Sequence, residues 1–282
     1  METVTISISG KIMTDYLGHS QIMNFYHTCK KIKNRIVNID FSNLRWFDAN
    51  LVALLSATIY KLRNDNSLDF VTDLDFLNNN FDIFCRNGFI QTSSPREDDR
   101  KSTLPFKIFS PKDKDGFKNY IKEDLLSHRG MPKLTTGLRF QIYQDLFEIF
   151  ANYDYHSNSQ EYFFICGQFY PKYGFLKLTM VDVGDGFLPN IQKVTRNRIF
   201  SADAAIRWAV EGNTTKTQVN TPGGLGIRGI HNYMLESNGR FDIITGDAYW
   251  STYFSQVDLP NGCLKVNNTF CGTTINLSFN CN

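Results

Sequence analysis

Glu148 and Asn152 stand four residues apart in Glu148-Ile149-Phe150-Ala151-Asn152, a spacing that puts both side chains on one face of a helix, one turn from each other. An asparagine amide oxygen is a neutral hard ligand suited to magnesium, and a carboxylate beside it can polarise a water aimed at a phosphate. Two polar residues on an amphipathic helix are equally what a solvated face displays. Asp182-Val183-Gly184-Asp185-Gly186 follows the apolar run Leu178-Thr179-Met180-Val181 and so sets an acceptor at a strand end. There the carboxylate can accept the exocyclic amine proton of adenine, and Gly184 and Gly186 leave room for a flat base; a plain Asp-Gly turn fits the same residues. Thr221-Pro222-Gly223-Gly224-Leu225-Gly226 opens a helix, where glycine-rich backbone and the helix dipole make an anion site for phosphate. Just before it, Glu211-Gly212-Asn213-Thr214-Thr215-Lys216-Thr217 either offers hydroxyls, Thr215 among them, and the Lys216 ammonium to phosphate, or forms an exposed loop. The P-loop and Rossmann glycine patterns are both missing.

These groups need a frame that brings strand ends and helix ends to one place. Periodicity predicts a strand at 4–9, a helix at 19–33, a strand at 35–41, a helix at 48–63, a short buried strand at 68–72 and a helix at 78–86 stopped by Asn87-Gly88. This β-α-β-α-β-α layer occupies 1–92. Residues 93–103, with Pro95 and the charge run Arg96-Glu97-Asp98-Asp99-Arg100-Lys101, lack an apolar period and read as a linker. From 104 to 282 the pattern changes. A charged amphipathic segment at 111–130 leads to a helix at 137–156, with Leu138, Ile142, Leu146, Ile149 and Phe150 at helical spacing. Strands follow at 161–166, 176–181, 240–245, 248–256 and 273–279, with a short helix at 227–237. The expected class is α/β: a β-α-β layer, then helices on one face of a mixed, mainly antiparallel sheet.

A chain of 282 residues suits two such domains. Thirty basic against 28 acidic side chains leave a net charge of +2, so no global field points to nucleic acid or anionic lipid. Six cysteines stand far apart, without the spacing of a zinc site, and are expected mostly as buried thiols. The amino terminus alternates like a strand rather than a signal peptide, and the longest apolar stretch, 51–60, is about half of what a bilayer span needs. A cytoplasmic protein without membrane or nucleic-acid partners is expected.

The order of the motifs is more specific than any one of them. Glu148 to His156 resembles the N-box of the GHKL superfamily of gyrases, histidine kinases, MutL proteins and heat-shock chaperones, closest to the anti-sigma-factor kinase type, which carries a histidine, here His156, as a third member. Asp182 to Gly186 resembles its G1 box, Gly224-Leu225-Gly226 its G2 box, and Gly272-Thr273 its late Gly-Thr pair. The resemblance implies a Bergerat-type α/β sandwich that binds ATP with Mg2+. Asn152 would hold the metal, Glu148 would be the base, Asp182 and Thr273 would contact adenine, and Gly223, Gly224, Leu225 and Gly226 would meet the phosphates, with His156 near them.

The first ninety residues are similar to STAS domains, through Ile36-Val37-Asn38-Ile39-Asp40-Phe41, Trp46-Phe47-Asp48-Ala49-Asn50-Leu51 and Asn87-Gly88-Phe89. The switch serine of that family falls on Ala49, which has no hydroxyl to phosphorylate. Three fates of the γ-phosphate stay open: hydrolysis by a slow ATPase used as a nucleotide-dependent switch in signalling, transfer to a serine or threonine of a partner as in anti-sigma-factor kinases, or retention in a non-catalytic ATP-binding module. A protein partner is expected, and a homodimer stays open.

Overall fold

The structure is a computed structural model that describes residues 2–91, 96–156, 161–215, 225–256, 259 and 262–282, with the side chains of 153–156, 225, 255 and 256 left aside. The amino-terminal half contains β1 (Thr3–Ser7), β2 (Gly10–Ile12), α1 (Tyr16–Cys29), β3 (Ile36–Asp40), β4 (Leu44–Phe47), a 3-10 turn (Ala49–Leu51), α2 (Val52–Asn66), β5 (Asp69–Thr72), α3 (Leu74–Asn80) and α4 (Ile83–Arg86). β1, β3 and β5 form a parallel sheet in the order β1-β3-β5, while β2 and β4 make a separate parallel pair. Local chemistry sets the ends. The Asp15 carboxylate accepts the Gly18 amide at 2.8 Å to start α1. The helix expected over 78–86 is two helices, because Asp73 caps an earlier start by accepting from the Phe76 amide, and Phe81 leaves the helical region at φ −135°.

The carboxy-terminal half runs β6 (Thr103–Phe109), α5 (Lys114–Asn119) with a π-helical extension (Tyr120–Leu125), α6 (Thr136–His156), β7 (Phe163–Tyr170), β8 (Phe175–Asp182), α7 (Phe187–Thr195), α8 (Ala202–Val210), α9 (Leu225–Glu236), β9 (Arg240–Thr245), β10 (Ala248–Ser251), α10 (Thr252–Gln256), β11 (Cys263–Lys265) and β12 (Thr273–Asn280). Its seven-stranded sheet has the order β11-β10-β9-β12-β8-β7-β6. Every neighbouring pair is antiparallel rather than mixed, since short connections join β7 to β8 and β9 to β10 and the last strand inserts between β8 and β9. Two readings of the sequence need correction. The strand expected over 248–256 stops at Ser251, because the Thr252 hydroxyl takes the Phe241 amide at 3.0 Å in place of a ladder bond and α10 begins. The end of the expected linker is ordered: Asp98 accepts the amides of Ser102 and Thr103 and pairs with Arg86 at 2.8 Å, which launches β6 at Thr103.

The large sheet is buried on both faces. Ile165, Leu178, Met180, Ile275 and Leu277 pack under α5, α6, α8 and α9 in one core. Phe164, Cys166, Val181 and Val183, on the alternate face, join Ile22, Leu54 and Leu55 of the amino-terminal half in a second core. The seam is also polar. Lys177 reaches Asp48 at 2.6 Å, and Asn50 donates to Thr179 at 2.7 Å, which in turn donates to Asn276 at 2.7 Å. Trp46 and Thr14 also donate to the Asp48 carboxylate. Burial pushes Asp48 upwards, but Lys177 and these donors outweigh it and hold the carboxyl below its ordinary value. Cys29, Cys85 and Cys166 are buried, and Cys263, Cys271 and Cys281 half-buried. Among the described residues no helix is long and apolar enough to cross a membrane.

Candidate nucleotide site

A cleft opens on the helix side of the sheet, where α6, the carboxy end of β8, the amino end of β12, α7 and α8 converge. It spans about 970 Å³ when the open solvent at its mouth is counted. Antiparallel pairing sets Thr273 directly opposite Asp182, and both share the face of Met180 and Ile275. The Gly184 amide donates to Asp182 at 3.0 Å. Asp182 is half-buried at the floor of the cleft, and this burial pushes its pKa up to about 6 against the hydrogen bonds from Gly184 and Thr273. Asp182 is thus a carboxylate at neutral pH that takes up a proton under mildly acid conditions, when one of its oxygens becomes a donor.

The cleft gathers most of the residues singled out from the sequence. Asn152, Asp182, Gly184, Gly186, Thr215 and Thr273 all line it. Gly186 begins α7 at φ +74°, and a Cβ there would meet the Thr245 hydroxyl at 2.5 Å, so both backbone and space require glycine. Glu148 does not line the cleft. Its carboxylate accepts the Gly226 amide of α9 at 2.8 Å, so it caps the amino terminus of that helix. Gly226 is tight against α6, since a Cβ would meet the Asp145 carbonyl at 2.6 Å and the Glu148 Cβ at 2.9 Å. Leu225 is the first residue of α9. Lys216, Gly223 and Gly224 and the His156 side chain lie outside the described residues.

Sequence reasoning missed the walls. Phe187, Asn190 and Ile191 of α7 and Trp208 of α8 line the cleft, beside Asn213 and Thr214 of the stretch already singled out after α8. The signal was present in Phe187 and Ile191 at i,i+4 and in Ala202, Ala205, Ile206 and Ala209, which are buried at i, i+3, i+4 and i+7. The arrangement offers an apolar slot with a carboxylate and a hydroxyl on its floor and amides and hydroxyls around its mouth. No family model, no curated protein and no solved structure matches the chain.

Proposed function

We propose that this cleft binds ATP with magnesium, in a GHKL-like domain joined to a STAS-like amino-terminal half that reads the nucleotide state or docks a protein partner. One observation carries the reading: Asp182, Thr273, Gly184, Gly186, Asn152 and Thr215, distant in sequence, line a single apolar cleft. A flat base fits between Met180, Ile275 and Phe187, with its exocyclic amine on Asp182, and the oxo group of guanine at that position would meet an acceptor with an acceptor. Among the described residues no cluster of three His, Cys, Asp or Glu side chains is suited to a metal ion. A single neutral oxygen on Asn152 fits magnesium that arrives on phosphates and keeps most of its waters. Bound there, the ion would neutralise phosphate charge and orient the γ-phosphoryl group.

Calorimetry with Mg-ATP and Mg-GTP tests this. ATP should bind and GTP should bind at least about tenfold more weakly, as one charge-assisted contact requires; absence of ATP binding would sink the proposal. The acceptor must be ionised, so affinity should be level above about pH 6 and fall about tenfold per pH unit below it, with proton release on binding near that pH.

Glu148 is the base in the hydrolytic version, a slow ATPase. Glu148→Ala should leave ATP affinity within about threefold and reduce turnover by about 100-fold. Labelled ATP reads the outcome: free phosphate marks a hydrolase, label on a partner's serine or threonine marks a protein kinase, and neither marks a binding module.

A further inference from the structure

Asp145 lies between α6 and α9 and has no part in the binding scheme above. It is 7% exposed. Among the described residues no hydrogen bond or ion pair reaches its carboxylate, and a Cβ on Gly229 of α9 would overlap it. The close approach of α9 to α6 at Gly226 and Gly229 therefore leaves the carboxyl group in a narrow space without a protein donor among the described residues. Such a group costs stability, and a role in the chemistry is the natural reason to keep it.

One turn along α6, Glu148 accepts the Gly226 amide. A triphosphate at the amino terminus of α9 would compete for that amide, so Glu148 must leave it before it can address a water. We propose that Asp145 is the positioning residue for this movement: protonated, it donates towards Glu148 and keeps it parked on α9, and ionised, it repels Glu148 towards the cleft. This role rests on the ATP reading of the site.

Burial first, and the charge of Glu148 second, push the Asp145 pKa up to about 7, which places the change of state in the neutral range. Of the other charged groups on the surrounding helices, Arg139 of α6 donates to the Leu126 carbonyl and Arg207 of α8 pairs with Asp203. Arg228 of α9 is exposed with its stem against Gly212, and His231 packs on Trp250 and Phe241. Lys118 of α5 and Lys122 of its extension lie over the rings of Phe147 and Tyr143. Once released, Glu148 takes a proton from the attacking water as the water oxygen bonds to the γ-phosphorus. The bond from that phosphorus to the β,γ-bridging oxygen breaks, and its electron pair leaves with ADP.

Turnover of Mg-ATP by the full chain, followed from about pH 5.5 to 8.5, tests the role in wild type and in Asp145→Asn. Wild-type kcat should rise through about pH 7. Asp145→Asn, fixed in the donating state, should show kcat about tenfold lower and level with pH, and a KM for ATP raised by no more than about fivefold, the worth of the one amide that Glu148 withholds. A retained wild-type pH limb in Asp145→Asn, with ATP bound and turned over, would overturn this role alone. Carboxyl-carbon NMR of aspartate-labelled wild type, without nucleotide, gives a second reading that needs no variant to turn over. A midpoint for Asp145 near 7 that moves down in Glu148→Gln supports the coupling, and a midpoint near 4 overturns it. Failure of the chain to bind ATP overturns the nucleotide reading and the role in turnover with it, whatever the NMR midpoint.

Discussion

An Asp182→Asn chain is expected to lose ATP by about 100-fold and, at pH 7, to melt at a higher temperature than wild type. The two signs share one cause. Oδ1 of Asp182 already takes the Gly184 amide, so in the isosteric amide the oxygen stays there and the NH2 group faces the base. A donor then meets the exocyclic amine of adenine, and about 3 kcal/mol of binding is lost. In the empty protein the carboxylate is costly. Its folded pKa of about 6 lies above the ordinary aspartate value, so the folded state binds more protons than the unfolded state between those two values. Stability is therefore lower above about pH 6 than below the ordinary value, and a neutral amide removes that cost, on the order of 1–2 kcal/mol given the open cleft. Calorimetric titration and thermal melts of the two proteins check both signs. A variant that loses ATP and stability together would place Asp182 among structural residues.

The second large effect is at the seam. Lys177→Met should destabilise the fold by about 3–5 kcal/mol, because it strands the Asp48 carboxylate, whose side chain is 2% exposed, without its cation. Trp46 and Thr14 still donate to Asp48, which keeps the loss finite. The double variant Lys177→Met/Asp48→Asn should recover a large part of the loss, since the remaining donors then serve a neutral group. Denaturant titrations of the single and double variants measure this, and equal loss in both would show that the charge pair is not the source.

The elements most legible in the sequence were those whose patterns are local. The stretch Arg240–Thr245, with Phe241, Ile243 and Ile244, is the strand β9, and the i,i+3/i+4 spacing from Ile142 to Phe150 fixed the buried face of α6. Asp182 and Asn152 could be read because a polar group at a strand end, or on the polar side of a helix near its end, stands out from its surroundings, whereas Thr273 came only from the resemblance carried by Gly272-Thr273. α7 escaped because Pro189 in its first turn reads as a breaker although that position tolerates proline. α8 escaped because alanines carry most of its buried stripe. Asp145 was hidden for a different reason: on α6 alone it is one more polar residue, and its burial comes from two glycines on α9. The pairing of Asp48 with Lys177 spans 129 positions, and no local pattern announces it.

The double covering of the large sheet bears on how the chain can be divided. Its amino-terminal layer is contiguous in sequence and has its own strands, so residues 93–103 look like a place to cut. A cut there would strip Phe164, Val181 and Val183 of their cover and leave Asp48 and Lys177 facing water on separate pieces. Neither fragment would inherit a finished interior. The two halves therefore make one cooperative unit, expected to unfold in a single transition, and a nucleotide held at Asp182 on one side of β8 would stabilise α2 on the other.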